Sequence, residues 1–105
     1  MKLMTKALAA KIPPLYATEN IPMADKIVHV HYFSGPYDAY LVEYDEATHE
    51  GFGYTVIAGH DSGEWGYINL DYLASVKVPP FGLGIERDLY WDPTPVCKIP
   101  KITGG

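Results

Sequence analysis

The chain has 105 residues, of which 48% are hydrophobic, and its formal net charge is −5. This apolar content excludes intrinsic disorder, and the lack of any fixed-period self-similarity excludes a repeat array. No apolar run approaches the length of about 18 residues that a membrane-spanning helix needs. The composition predicts one small folded domain with a single core.

The N-terminal segment predicts a short helix and a cytoplasmic protein. Residues 6–11 favour a helix, Thr5 is a good N-cap, and Pro13 and Pro14 end the helix. Two lysines interrupt the small apolar residues, so this segment lacks the run of about 7–15 residues that a signal peptide requires. The single cysteine, Cys97, allows no internal disulfide and no thiolate zinc site.

Hydrophobic and β-branched patterns predict an antiparallel meander of four to five strands. The first four strands are expected at residues 26–33, 39–45, 51–58 and 64–68. Alternation in the second strand predicts that Tyr40, Val42 and Tyr44 share one face, with Leu41 and Glu43 on the other.

Asn69 can cap a brief helix at residues 70–75, and residues 85–91 alternate as an edge or half-exposed strand should. The sequence therefore predicts a small α+β domain over residues 1–95. Residues 96–105 are rich in Pro and Gly and predict a flexible tail.

Four segments carry a resemblance to a known family: LMTK at 3–6, IPPLYAT at 12–18, EWGY at 64–67 and GIERDLY at 84–90. Together they resemble the domain-of-unknown-function 2958 family of small proteins from bacterial plasmids, integrated elements and phages. The resemblance spans residues 3–95 in order and spacing. It implies a mobile-element setting, in which small acidic proteins often block host defence or regulate transfer, and it supplies no catalytic residues. The His-rich stretch around the first strand departs from the family pattern.

Charge is unevenly distributed along the chain. Residues 37–92 contain eleven acidic and two basic residues, whereas the rest of the chain contains six lysines and two acids. An acidic middle repels phosphate backbones and attracts basic surfaces, which argues against direct nucleic-acid binding and favours a basic protein partner. An ordinary solubilising surface is the alternative.

A metal site is one candidate for chemistry. His29 and His31 are two residues apart on a predicted strand, so their side chains should share a face, where Glu43 of the next strand could complete a site. Ile27 and Phe33 share that face, so packing among aromatic residues explains the pair equally simply.

Other motifs are weaker, and no pattern points to a cofactor. His60, Asp61 and Ser62 are adjacent, whereas triad residues come from distant segments, so a turn explains them better. The glycines at 82 and 84 follow a proline pair rather than a strand, which argues against dinucleotide binding. Carboxylate pairs are expected by chance in so acidic a chain.

Aromatic residues beside acids indicate a binding face, because Tyr and Trp offer rigid apolar area with a polar handle. The predicted partner-binding residues are Asp61, Glu64, Trp65 and Tyr67, extended by Glu86 and Asp88 if the last strand pairs nearby. Trp65 could equally fill the core.

Three functional hypotheses follow. The first is a non-enzymatic, acidic binding module of a mobile element that inhibits or modulates a nucleic-acid-handling host defence protein. The second is a small metal-dependent enzyme centred on His29 and His31. The third is a structural subunit whose aromatic face forms a homodimer.

Overall fold

The computed structural model describes residues 2–58, 63–79 and 81–104. Three short helices lie in these ranges: α1 (Lys6–Ala9), α2 (Leu70–Ser75) and α3 (Pro100–Thr103). The strands in chain order are β1 (Ile27–Val28), β2 (Val30–Ser34), β3 (Tyr37–Asp45), β4 (Glu50–Ile57), β5 (Glu64–Asn69), β6 (Lys77–Val78), β7 (Leu83–Gly84), β8 (Glu86–Arg87) and β9 (Thr94–Pro95). None of the helices in the described ranges is long and apolar enough to cross a membrane.

The main sheet has five antiparallel strands in the order β5-β4-β3-β2-β8. Strands β2 to β5 form the predicted meander, and β8 adds to the free side of β2. Two smaller pairs, β1 with β9 and β6 with β7, lie outside this sheet. The predicted α+β fold is confirmed, and β5 and β8 form its two opposite edges.

Both predicted helix caps are present. The Thr5 hydroxyl accepts a hydrogen bond from the Leu8 N–H at 3.1 Å, and the Asn69 side chain accepts from the Tyr72 N–H at 2.9 Å. Each side chain satisfies a backbone donor that the first helical turn leaves without a partner. The Asn69 cap therefore ends β5 and begins α2 at the position that the sequence predicts.

The sheet is buried on both faces, which is why seven consecutive residues of β3 are buried. The first cluster includes Leu3, Tyr32 and Leu41 and is covered by residues from α1 and α2. The second cluster contains Val28, Tyr40, Val42, Tyr54, Val96 and Ile99. Two layers of cover over one sheet remove more apolar surface from water than one layer would.

The segment after residue 95 is packed rather than free, which differs from the predicted flexible tail. Val96 and Ile99 are 3% and 5% exposed and belong to the second cluster. The Val96 N–H donates to the Lys26 carbonyl at 2.9 Å. Pro95 and Pro100 begin short helical turns here, because their fixed φ suits the first turn of a helix. The domain continues past residue 95.

A β-bulge interrupts the pairing of β3 with β4. Leu41 lies opposite Gly53 and Glu43 lies opposite Phe52, so Val42 is the extra residue. A bulge of this kind breaks the strict alternation of side chains along a strand.

The bulge makes the predicted face assignment of β3 wrong. Tyr40 and Val42 pack in the second cluster, but Tyr44 packs with Leu41 in the first. Glu43 consequently lies on the second face, in the same cross-strand row as Phe52.

The outer strands are shorter than predicted. The first strand breaks at His29, with Val28 in the second cluster and Val30 in the first. The last strand pairs only through β8, because the Asp88 carboxylate accepts from the Tyr90 N–H at 3.0 Å and turns the chain away.

Candidate functional site

A row of rings crosses the sheet on the face of the second cluster. His31 lies opposite Tyr40, Tyr40 opposite Tyr54, and Tyr54 opposite Trp65. Ring centroids are 4.8 Å apart for His31 and Tyr40, and 5.2 Å apart for Tyr54 and Trp65. The two middle rings are buried, so burial raises the pKa of Tyr40 to about 12. The two ends of the row are less buried: Trp65 lies on the edge strand β5, and His31 lies on β2, next to β8.

The end at β5 carries further aromatic side chains. Phe52 lies opposite Tyr67, with ring centroids 5.9 Å apart in an edge arrangement, and stacks on Trp65 at 5.9 Å. Trp65 is half-buried and packs against the second cluster. It therefore serves partly as core, while Tyr67 beside it is mainly exposed.

A pocket of about 240 Å³ opens beside Tyr67, and we call it the aromatic pocket. The Tyr16 and Tyr67 hydroxyl oxygens lie 2.9 Å apart, within hydrogen-bond distance of each other. These two tyrosines are 58% and 57% exposed. The pocket is lined by Tyr16, Glu19, Met23, Lys26, Glu43, Phe52 and Tyr67.

Glu43 holds the segment that brings Tyr16 to the pocket. Its carboxylate accepts hydrogen bonds from the Tyr16 N–H at 2.9 Å and the Thr18 N–H at 3.1 Å, and also from the Thr18 hydroxyl. Tyr16 has a φ of +70°, a left-handed conformation that a bulky residue rarely adopts. A buried carboxylate bound to two backbone donors over-determines this conformation.

The Lys26 side chain completes this network. Lys26 is buried, and its ammonium donates to the Thr18 carbonyl and, at 2.8 Å, to the Thr18 hydroxyl. A buried ammonium needs acceptors and a nearby opposite charge, and the Glu43 carboxylate joined to the same hydroxyl supplies that charge. Their charges offset each other beneath the pocket.

The pKa of the Tyr67 phenol, beside the pocket, is raised. The hydrogen bond to Tyr16 raises the pKa of Tyr67, and the charges of Glu43 and Glu50 raise it further. Glu19, another exposed acid, lies in the pocket wall.

Three predicted partner-binding residues come together on β5. Trp65 and Tyr67 share the face of the aromatic pocket, as two residues separated by one position must in a strand. Glu64 is exposed but alternates with them onto the other face. Asp61, the fourth predicted residue of this group, lies outside the described residues.

The last strand does not pair near β5, so the condition under which Glu86 and Asp88 would extend this surface is not met. Their strand pairs with β2, and the order of the sheet puts four strand spacings, about 19 Å, between β8 and β5. The alternation that predicted a last strand contains no information about which edge it joins.

The candidate metal ligands His29, His31 and Glu43 are not brought together in the described residues. His31 contacts Asp38 and Asp88, Glu43 binds Tyr16 and Thr18, and the strand break separates His29 from the strand that carries His31. Within the described ranges, no group of three or more His, Cys, Asp or Glu side chains is placed to hold a metal ion. Burial lowers the pKa of His29, which favours its neutral form.

His31 instead forms an ion cluster with two carboxylates near β8, which we call the His31 cluster. Its Nε2 lies 2.7 Å from Asp38 Oδ1 and its Nδ1 lies 3.0 Å from Asp88 Oδ2. Each ring nitrogen of His31 therefore faces a carboxylate oxygen of a different aspartate. Lys101 Nζ reaches Asp38 Oδ2 at 2.6 Å, and His31 lowers the pKa of Asp88.

Sequence reasoning missed Tyr16, Phe52 and Glu19 as members of the site. Tyr16 lies in a segment without periodic pattern, and Phe52 reads as an ordinary strand residue. The available signal was the buried charge on Glu43, since a carboxylate inside a strand needs a partner from elsewhere in the chain. The serine motif at His60 and Ser62 lies outside the described residues.

Comparisons with family models, with curated proteins and with solved structures find no match for this chain.

Proposed function

We propose that this chain is a non-enzymatic protein-binding module of a mobile genetic element. Its aromatic pocket and the acids around it would dock onto a basic surface of a nucleic-acid-handling host protein, with inhibition or modulation as the result. The resemblance to the domain-of-unknown-function 2958 family supports the mobile-element setting.

One observation carries the proposal: two well-exposed tyrosines, Tyr16 and Tyr67, are held together at a sheet edge. Tyrosines held by a hydrogen bond lose little conformational entropy on binding, and they bury a large area with a polar tip. Such rigid aromatic side chains are typical of the residues that dominate binding energy at protein interfaces.

The charge of the surrounding surface supports a basic partner. Glu19 lies at the pocket and Glu64 lies on the same edge strand as Tyr67. Most of the acids in the chain fall in its middle section, and a negative surface speeds encounter with a positive one while repelling nucleic acid.

The test is co-purification of the tagged protein from a bacterial host that carries defence systems, at low and at high salt. Glu19→Lys reverses a charge at the aromatic pocket, and Asp92→Lys makes the same charge change at an exposed residue beyond β8. We expect a stoichiometric basic protein that high salt releases and that Glu19→Lys loses, while Asp92→Lys keeps it.

Two outcomes would count against the proposal. If both variants capture the partner equally well, the partner binds away from the aromatic pocket. If capture is the same at low and at high salt, charge complementarity does not drive the binding. A sedimentation coefficient that rises with protein concentration, with no partner at either salt, would favour the homodimer alternative.

A further inference from the structure

The geometry points to the aromatic pocket as a binding site for a single arginine side chain. We infer that the basic partner places a guanidinium group in this pocket, against the rings of Tyr16 and Tyr67 and over Phe52. This inference rests on the proposed protein-binding function and specifies the chemical group that the pocket recognises.

The size and walls of the pocket suit one planar cation. Its volume of about 240 Å³ is smaller than a typical small-molecule site, and three of its lining residues are aromatic. A guanidinium is attracted to the face of an aromatic ring within about 6 Å of its centroid. Tyr16 and Tyr67 leave more than half of their surface in solvent, so ring surface remains for such a contact.

Charge at the pocket favours a cation. Lys26 lines it, but this ammonium is buried and bonded to Thr18, and the Glu43 carboxylate offsets its charge. Glu19 then leaves the pocket with a net negative charge.

The pocket is preformed, which lowers the cost of binding. Glu43 fixes the backbone of Tyr16 in a left-handed conformation, and the hydroxyl contact joins Tyr16 to Tyr67. Strained backbone held by a buried network is characteristic of ligand-binding segments. No loop needs to order when a side chain enters.

Arginine fits better than lysine for geometric reasons. A guanidinium stacks flat on a ring while its N–H groups, which lie in its plane, still reach acceptors. The hydroxyl oxygens of Tyr16 and Tyr67 and the carboxylate of Glu19 are acceptors around the pocket. A lysine ammonium is more strongly hydrated and cannot stack flat on a ring, so it should bind the aromatic pocket more weakly.

The test is an NMR titration of the full chain with N-acetyl-arginine amide. N-acetyl-citrulline amide, a neutral molecule of nearly the same shape, and N-acetyl-lysine amide serve as comparison probes. We expect saturable, about millimolar binding of the arginine probe, with the largest shifts at Tyr16, Phe52 and Tyr67 and binding at least about fivefold weaker for both other probes.

Three variants locate the contact. Tyr67→Ala should weaken arginine binding about fivefold or more, whereas Tyr67→Phe, which keeps the ring and loses only the hydroxyl contact with Tyr16, should weaken it less. Tyr90 is 94% exposed and follows β8, at the opposite edge of the sheet from the pocket. Tyr90→Ala should therefore leave arginine binding unchanged. Amide dispersion in the same spectra shows that each variant is folded.

Four results would each overturn the inference. The citrulline or lysine probe could bind as tightly as the arginine probe, or no probe could show saturable binding. The shifts could lie away from the pocket, or Tyr67→Ala and Tyr90→Ala could weaken arginine binding equally. The co-purification experiment distinguishes failure of the arginine site from failure of the proposed binding function. A partner that is still captured and lost with Glu19→Lys would keep the binding module and remove only the arginine site.

Discussion

The two edges of the sheet contain the same kinds of residues and use them differently. Towards the β8 edge, His31 on β2 contacts both Asp38 and Asp88, and Lys101 of the C-terminal helix contacts Asp38. Towards the β5 edge, the carboxylate of Glu43 on β3 is also bound internally, but the Tyr16 and Tyr67 rings remain exposed. One edge uses its polar groups for stability, and the other presents a surface.

Acidic and aromatic side chains act on a partner only where the fold leaves them exposed and unpaired. A carboxylate that is paired with a buried cation contributes little to attraction at a distance, whereas an exposed one does. Tyrosines count as binding residues only where the fold leaves their rings uncovered. We therefore expect substitutions near the β8 edge to lower the stability of the fold, and substitutions near the β5 edge to weaken binding with little change in stability.

The largest expected effect on stability is at the β8 edge. Asp38→Asn removes the carboxylate that faces both His31 and Lys101, and leaves the largely buried His31 ring with one carboxylate partner fewer. We expect the free energy of unfolding to fall by about 3 kcal/mol, measured by urea denaturation.

The matched control is Asp71→Asn, which removes the carboxylate of an exposed pair with His49 at 2.9 Å. An exposed ion pair contributes at most about 0.5–1 kcal/mol, so this change should be small. Similar losses in the two variants would show that the His31 cluster does not stabilise the fold.

A smaller effect is expected from pH at the same edge. The hydrogen bond from His31 holds the pKa of Asp88 below its ordinary value of 3.8. The stability that Asp88 contributes is thus fully present above that value and is lost as the pH falls through its lower, folded-state pKa. Asp88→Asn should cost about 1 kcal/mol at neutral pH.

The measurement is the urea midpoint of wild type and of Asp88→Asn between neutral pH and strong acid. The two should converge as acid removes the contribution of Asp88 from the wild type. A difference that stays constant, or that grows on acidification, would contradict the assigned direction of the shift.

Much of this fold is predictable from the sequence because local signals agree with it. The capping residues Thr5 and Asn69 begin helices where expected, and the alternation of apolar residues locates β3, β4 and β5. The bulge at Val42 and the packing of Val96 are not predictable in this way, because both depend on partners distant in the chain.

The candidate site is predictable only in part. Trp65 and Tyr67 share a face because a strand alternates, and the sequence contains that information. The partnership of Tyr16 with Tyr67 spans 51 positions, and the assignment of Asp88 to the far edge depends on strand order. Pairing of distant segments leaves no local pattern.

The smallest expected effect on stability is at the β5 edge. Tyr67→Ala removes a mainly exposed ring and should change the free energy of unfolding by about 0.5 kcal/mol or less, measured by urea denaturation. The same variant should bind arginine less well. A loss comparable to that of Asp38→Asn would make Tyr67 a structural residue and erase the contrast between the edges.

The most direct test of the contrast is an NMR map of the surface that contacts an arginine-rich peptide, recorded at low and at high salt. We expect chemical-shift changes at Tyr16, Phe52, Trp65 and Tyr67 that become smaller as the salt concentration rises. Shifts centred on Glu86 and the rest of the β8 edge would contradict this expectation, as would the absence of any shift at low salt.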